Sequence, residues 1–486
     1  MTRGRLLTAC TAFALSLRSS LPASAAERSI LRLAGFAHSS VLDPYTTQTP
    51  AVSDMAWLYA DGLVGVGRHG PVGLLAEQVP TTRNGGISPD GLAVTYTLRR
   101  GVRWHDGLAF TAGDVVAAFQ RVQDSGWRGN RPYSLVRSVE ALSPHRVRVS
   151  LERPDPLFPF GFFSAYGEPN LPLVRAGRSP VGTGPFAIRG FSNSTGAYTL
   201  QSWSSSPRGP SSVAEIRYTF VPDQNTEAVG FAAGEYDIAL IVPHAFVESR
   251  HLRFARYTGG ALMLFANVSG VLSDARLREL TFSAINREAL RRKALGDWGL
   301  PANTIVAPEL SGALRVPEIR PDPERVRQRL QSLYPKSVQL TFAGLPGLGD
   351  NIGLLLQAQL RSAGIDLEVK TFSPQEYFAP NGPLHGGHFD LALDGASYNR
   401  DPGLADSFSC AAIDQGENFS RFCSPQLDRA LASNDFELAS RILWKNAVTM
   451  PLAQLVNCIG LGPRVKNFHV QNYVPITYFC NEWSLH

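Results

Sequence analysis

Residues 338–369, VQLTFAGLPGLGDNIGLLLQAQLRSAGIDLEV, decide the fold class. Val338, Leu340 and Phe342 recur at the two-residue period of a strand. Ile352, Leu355, Leu356, Gln359, Leu360 and Ala363 then fall at helical spacing until Gly364 stops the run, and Ile365, Leu367 and Val369 return to alternation. Strand, helix and strand in that order join as a parallel pair with a right-handed crossover, because parallel neighbours need a connection that crosses the sheet. The chain is therefore read as α/β.

Working outward, 389–393 adds a strand to the same lobe, helices start at Ser424-Pro425 and near Asn434, and 451–456 leads back toward the end. On the other side, Leu277, Leu280 and Ala284 share one face of a helix, and a second helix runs from Asn286 to Gly296. Strands are predicted at 216–220 and 238–241 around a short helix near 226–233, and 139–151 reads as a hairpin. Val94, Tyr96 and Leu98 form half of another hairpin, turned at Gly101 and continued by Val102 and Trp104 before Asp106-Gly107 turns the chain again. Thr111 caps a helix with Asp114 three residues on, and Val115, Phe119 and Val122 are its buried stripe. The Pro-, Gly- and Phe-rich segment 154–184 is irregular, a helix is predicted at 53–63, and Ile30, Leu31 and Leu33 make a strand that stops at Gly35.

With 486 residues the chain is long enough for two or three lobes, and 44% hydrophobic with 18% charged residues is a globular composition. The net charge of +5 is spread without a Lys/Arg block, so nucleic acid is not expected as a partner. Arg3 and Arg5 precede an apolar stretch from Leu6 to Leu17, and Ala23-Ser24-Ala25 follows as a small-residue cleavage site; residues 1–25 read as a secretory signal peptide. Leu7-Thr8-Ala9-Cys10 resembles a lipoprotein box, but too little apolar chain precedes Cys10 to drive export. The mature protein is expected to be free in an exported, oxidising compartment, where Cys410, Cys423, Cys458 and Cys480 pair. Cys410 with Cys423 would close a short loop worth about 3 kcal/mol in the chain-entropy model. Cys458 with Cys480 is the remaining pair of the three possible connectivities.

Catalytic and cofactor motifs fail on context. Gly65-Val66-Gly67-Arg68-His69-Gly70 has the letters of a dinucleotide fingerprint, but a helix precedes it and Pro71 follows, so no strand-to-helix turn aims amides at a phosphate. Neither a phosphate-binding Gly-x-x-x-x-Gly-Lys nor a Gly-x-Ser-x-Gly nor a His-Glu-x-x-His occurs. His385 and His388 lack a third ligand at metal-binding spacing, and His105 beside Asp106 is first part of a turn. Neither enzyme activity, cofactor nor metal is expected.

The run Thr95-Tyr96-Thr97-Leu98-Arg99-Arg100-Gly101-Val102-Arg103-Trp104-His105-Asp106-Gly107, introduced by Asp90-Gly91-Leu92 and followed by Phe110-Thr111-Ala112 and Asp114-Val115-Val116, resembles the family 5 extracellular solute-binding proteins. These are the dipeptide-, oligopeptide- and nickel-binding components of ABC importers. Val181-Gly182-Thr183-Gly184-Pro185-Phe186, Gly234-Glu235-Tyr236-Asp237, Ala284-Ile285-Asn286-Arg287-Glu288-Ala289-Leu290 and Leu360-Arg361-Ser362-Ala363-Gly364-Ile365 fall in the family's order. Phe408-Ser409-Cys410-Ala411-Ala412 with Asn418-Phe419-Ser420-Arg421-Phe422-Cys423 is similar to the dipeptide-binding branch, in which these two Cys pair.

The resemblance implies a two-lobed binding-protein fold (type II, large peptide-binding class) with a hinge and a ligand cleft between the lobes. Lobe I is expected to comprise 26–262 with 457–486, including an extra subdomain, and lobe II 263–456. Open α/β sheets bind ligands beyond the carboxyl ends of their strands, which selects the loops 35–44 and 395–402 as jaws. The candidate ligand-binding residues are His38, Ser39, Ser40, Tyr398, Asn399, Arg400 and Asp401. Peptide-binding members carry a Trp and then an Asp that pairs with the peptide ammonium; here Gly395 and Tyr398 stand at those positions. Arg400 suits a carboxylate or phosphate, and Tyr398 an aromatic wall or hydrogen-bond donor. The implied function is capture of a peptide or peptide-like solute by a monomer that closes about its hinge in the periplasm and docks on membrane permease subunits. The alternatives are a non-peptide solute (a chelated metal, an opine-like conjugate or other organic ligand) or a sensor subunit that presents its ligand to a receptor.

Overall fold

The structure, a computed structural model, describes residues 29–36, 42–46, 50–68, 70–125, 132–166, 170–176, 179–192, 196–243, 246, 252–306, 314–317, 320–379, 381–397, 404–415, 417–472 and 474–486. The strands of its main sheet are, in chain order, β1 (Ile30–Phe36), β2 (Phe186–Ser192), β3 (Ala197–Ser202), β4 (Glu215–Val221), β5 (Ile238–Ala239), β6 (Phe254–Ala266), β7 (Gly299–Leu300), β8 (Val338–Gly344), β9 (Ile365–Thr371), β10 (Leu391–Ser397) and β11 (Thr449–Leu461). Ten of them follow one another as β9-β8-β10-β6-β11-β5-β1-β4-β3-β2, and β7 pairs with β11. The helices needed below are α1 (Pro50–Tyr59), α2 (Ala112–Gln123), α3 (Ala275–Ser283), α4 (Arg287–Leu295) and α5 (Leu348–Ser362).

The strand–helix–strand reading holds: β8 and β9 are parallel from Val338↔Ile365 to Gly344↔Thr371, with α5 between them in the chain. Ile352, Leu356 and Leu360 of α5 pack with Leu340, Phe342, Ile365 and Leu367 in one apolar core. A different core holds Leu31 and Leu33 of β1, Ile216 and Tyr218 of β4, and an aromatic group that includes Tyr96, Trp104, Phe158, Phe162 and Phe163.

The two longest strands, β6 and β11, join these bodies. Both have 13 residues, and they pair antiparallel along nearly their whole length, from Phe254↔Gly460 to Phe265↔Thr449, with register shifts at Thr258/Gly260 and Leu262/Met263. Core membership changes along them. Ala255 and Tyr257 pack against the first core, whereas Leu262, Leu264 and Ala266 enter the second and Ala261, Met263 and Phe265 enter a third on the opposite face. On β11, Met450 and Leu452 belong to the second core and Ile459 and Leu461 to the first. A bulge bends its strand and raises the local twist, so this two-stranded ribbon carries its irregularity where it changes bodies.

Several expectations need correction. Ala93–Thr97 pairs with Arg146–Leu151, not with the segment after Gly101, and Arg146–Leu151 also pairs with Val136–Ser143 in a separate three-stranded sheet. The short stretch of Val102 and Trp104 folds back only as one bridge, Arg103↔Ala109. Helix α1 ends at Tyr59, ahead of the Gly62 that comes so close to the Phe163 carbonyl that no Cβ would fit. Val64–Gly67 and Gly70–Gly73 form an antiparallel hairpin, so the glycine-rich stretch serves close packing: a Cβ at Gly65 would lie 2.2 Å from the Tyr478 hydroxyl. Thr111 does cap α2 in a reciprocal box with Asp114, whose carboxylate accepts from the Thr111 N–H at 2.7 Å.

Cys410 and Cys423 are joined in a disulfide. Cys458 and Cys480 are not: both are free and buried. Cys458 faces a small apolar cluster with Phe231 and Trp298, while Cys480 lies in the first core, so they sit in different packing environments.

Candidate functional site

The seven candidate ligand-binding residues, His38, Ser39, Ser40, Tyr398, Asn399, Arg400 and Asp401, lie outside the described residues. The strands that lead to them are described, and register locates their ends. Ala34 of β1 pairs with Ala239 of β5, which pairs with Gly460 of β11, which pairs with Phe254 of β6. Because β1 runs parallel to β5 while β5 and β6 are both antiparallel to β11, β1 and β6 run the same way, and β1 stops at Phe36, level with Arg256. Strand β10 comes from the opposite direction and stops at Ser397, opposite Gly260. The two strands therefore stop at nearly the same level, around the first register shift of β6, coming from opposite directions with β6, β11 and β5 between them in the sheet.

On the β1 side of this gap, Tyr218 brings its hydroxyl against β1: a Cβ at Gly35 would be 2.2 Å from it, which requires glycine there. Asp54, on α1, is buried and accepts the Ile476 N–H at 2.9 Å, while Thr477 donates its hydroxyl to the Asp54 carbonyl. Burial pushes the Asp54 carboxyl up to about 7 against the opposing pull of that amide. Its charge is felt by Tyr218 and by Tyr257 of β6, whose phenols are held above their usual range chiefly by burial. Thr258, at the register shift, donates its N–H to the Asn472 side chain at 3.0 Å. The C-terminal segment thus closes over both α1 and the ribbon.

On the β10 side, Asp394 is half-buried beside the exposed Gly395, whose N–H it accepts at 2.8 Å. Burial, with a smaller contribution from the negative charge of Glu417, pushes Asp394 up to about 7. Among the described residues a Cβ at Gly395 would touch nothing within 4 Å. A carboxyl so placed is ready to ionise when a cation arrives. Asp54 and Asp394 were not found by motif, since each is a lone acid in an apolar run; the only sequence signal was that isolation, in 50–60 and 391–395.

Other titratable groups have structural partners. His105 donates from Nε2 to the Gly184 carbonyl at 2.9 Å and is pushed down to about 4 by burial, while Asp106 pairs with Arg175. His385 rests edge-on against Phe419. Among the described residues no group of three or more His, Cys, Asp or Glu could hold a metal ion, and no helix is long and apolar enough to cross a membrane.

Comparison with known proteins agrees with this architecture. Residues 70–415 match the profile described as bacterial extracellular solute-binding proteins, family 5 middle. The chain is 26% identical over 427 residues to a probable di/tripeptide-binding protein of Pseudomonas aeruginosa, covering 76% of this chain and 80% of that one. It is 27% identical over 490 residues to the glutathione-binding protein GsiB of Salmonella paratyphi A, covering 90% and 92%. The crystal structure of the ABC transporter substrate-binding protein CtaP of Listeria monocytogenes superposes with a TM-score of 0.79 at 18% identity, covering 94% of this chain and 99% of that one. The fold is thus the two-lobed α/β fold of type II binding proteins.

Proposed function

The chain belongs to the bacterial extracellular solute-binding proteins of family 5, and we propose that it is the solute-binding component of an ABC importer, closing two lobes about a peptide or peptide-like molecule. Lobe I comprises 26–262 with 457–486 and lobe II 263–456, so β6 and β11 are the crossing segments and their register shifts are the hinge. The observation that carries this reading is that β1 and β10 end at nearly the same level of that irregular stretch of the ribbon, coming from opposite directions on either side of it. Closure draws its free energy from a ligand that touches both lobes at once, through the loops 35–44 and 395–402. The closed form is the one that docks on the membrane permease. Residues 1–25 direct export, and the mature monomer works in the periplasm; the Cys410–Cys423 disulfide is in keeping with an oxidising compartment.

The relatives named for di/tripeptides and for glutathione support a short peptide-like ligand. Recognition of its ammonium differs from that of the peptide-binding members, because Tyr398 replaces their Asp. In our reading Asp394 supplies the counter-charge, and the open space over Gly395 admits a larger ligand side chain than a Trp there would. Arg400 holds the opposite, acidic end. The test is native mass spectrometry of protein purified without refolding, followed by small-angle scattering with the compound it carries. A bound small molecule released on unfolding and a fall in radius of gyration on adding it back are expected. An empty protein whose dimensions are unchanged by di- and tripeptides, or turnover of the carried compound, would defeat the proposal.

A further inference from the structure

A second concavity, of about 540 Å³, lies where α4 faces the segments around Ala302 and Val316 and the side chain of Leu452 on β11. None of Asp54, Tyr218, Tyr257 or Asp394 borders it. Its volume is that of a small-molecule site. Among the described residues five arginines, Arg287, Arg291, Arg292, Arg315 and Arg320, border it with one carboxylate, Glu288. That carboxylate is already engaged, 2.7 Å from Arg291 and 3.4 Å from Arg292.

The arginines are arranged as fixed and free charges. Arg287 donates to the carbonyls of Ala302 and Pro451 at 3.2 and 3.1 Å, and Arg291 to those of Gly296 and Gly299. Arg315 and Arg320 are exposed, and neither side chain makes an ion pair or hydrogen bond among the described residues. The positive end of α4 adds to the field, because Asn286, its cap, and Arg287, its first residue, are on the wall. Like charges gathered in a concavity repel one another and focus potential into it, so an anion there is favoured over water.

The geometry also selects the anion. The bordering guanidinium forks belong to separate segments of the chain, three on α4 and those of Arg315 and Arg320 beyond it. A carboxylate presents two oxygens in one plane, suited to one fork, whereas a tetrahedral oxyanion presents oxygens in several directions and accepts several forks at once. We propose that this cavity is a second binding site, separate from the crevice between the lobes, for a phosphate-class anion of two or more negative charges, free or borne on a lipid headgroup. Its wall is continuous with the ribbon, since β7 runs directly into the bordering Pro301 and pairs with β11 at Leu455 and Gln454, where Leu455 also faces Gly260 of β6.

The test is calorimetric titration of the mature chain with inorganic pyrophosphate, with chloride at matched ionic strength as control. Saturable binding is expected, weakened about tenfold or more in Arg315→Ser/Arg320→Ser and unchanged in Arg400→Ala. Both substituted arginines are exposed and unpartnered, so the variant should melt like the parent in the absence of anion, and Arg315→Lys/Arg320→Lys should recover part of the affinity. Sedimentation with phosphatidic acid vesicles, whose phosphomonoester can carry two charges, against phosphatidylcholine vesicles then distinguishes the sources: retention lost in the Ser variant assigns a headgroup, and no retention alongside pyrophosphate binding assigns a free anion. Binding of neither probe to the parent, equal binding by the Ser variant, or loss of binding in Arg400→Ala would overturn the proposal.

Discussion

Around β8 and β9 the apolar partners come from close by in the chain: α5 lies between the two strands and supplies Ile352, Leu356 and Leu360 to their core. Around β1 and β4 they come from its far ends. Leu31 and Leu33 share a core with Ile459, Leu461, Cys480 and Trp483. At the edge of that core the buried Arg208 bonds Asp61 at 2.7 Å, the carbonyls of Trp57 and Ala60, and the carbonyl of Tyr478. One body is stabilised by contacts that form early and locally, the other by a charged knot that ties three distant segments together. Local contacts cost little loop-closure entropy; distant ones gain cooperativity at greater cost.

The difference can be broken at its most expensive point. Arg208→Ala leaves Asp61, with no exposed surface, as an uncompensated buried charge, and should destabilise by about 3–5 kcal/mol. Hydrogen exchange should show lost protection in β1 and β4 while β8 and β9 keep theirs; uniform loss would show that the bodies do not differ in this way. The reciprocal change, Leu356→Ala, removes a fully buried side chain and should cost about 3 kcal/mol, with exchange rising in β8 and β9 first. Equal rises in β1 would sink the distinction.

A smaller effect sharpens the comparison at the crevice. Asp54 and Asp394 belong to opposite bodies and are both pushed up to about 7, but Asp54 is sealed by Ile476 and Thr477 while Asp394 opens onto Gly395. At pH 7 an unliganded Asp394 is close to half protonated. A bound ammonium favours its ionised form and lowers its pKa, so binding should release up to about half a proton from Asp394 near pH 7, whereas at about pH 9 Asp394 is already ionised and the ligand's own amine, mostly neutral there, takes a proton up. Calorimetry in buffers of different ionisation enthalpy measures this. Asp394→Asn should abolish the buffer dependence and Asp54→Asn should preserve it; the opposite assignment would move the ammonium site to the other body.

What could be read in the sequence divides along the same line. The unit at 338–371 was legible because its periods change cleanly from two to helical and back. The capping box of α2 and the cap of α4 at Asn286 were legible because their chemistry is local. Strands β6 and β11 were not read as strands of their full length. In β6 successive side chains from Ala261 to Ala266 enter two different cores, so the run is apolar throughout and shows no alternation. In β11, Pro451 interrupts the pattern. The partner of Ala93–Thr97 was misplaced because it lies some fifty residues on, beyond α2, where no turn signal marks it. At the site, the strand ends were visible in sequence, but the environments of Asp54 and Asp394 were not. Those depend on the C-terminal segment folding over α1 and on the placement of Glu417, which no local pattern encodes.

The interleaved path has a consequence for biogenesis. Trp483, Tyr478 and Ile476 complete contacts with residues more than four hundred positions earlier, so a fragment that stops short of them cannot close the first core. Until those residues have been made and folded back, the body they complete stays open, loose enough to be threaded through a membrane and too loose to serve as one half of a clamp.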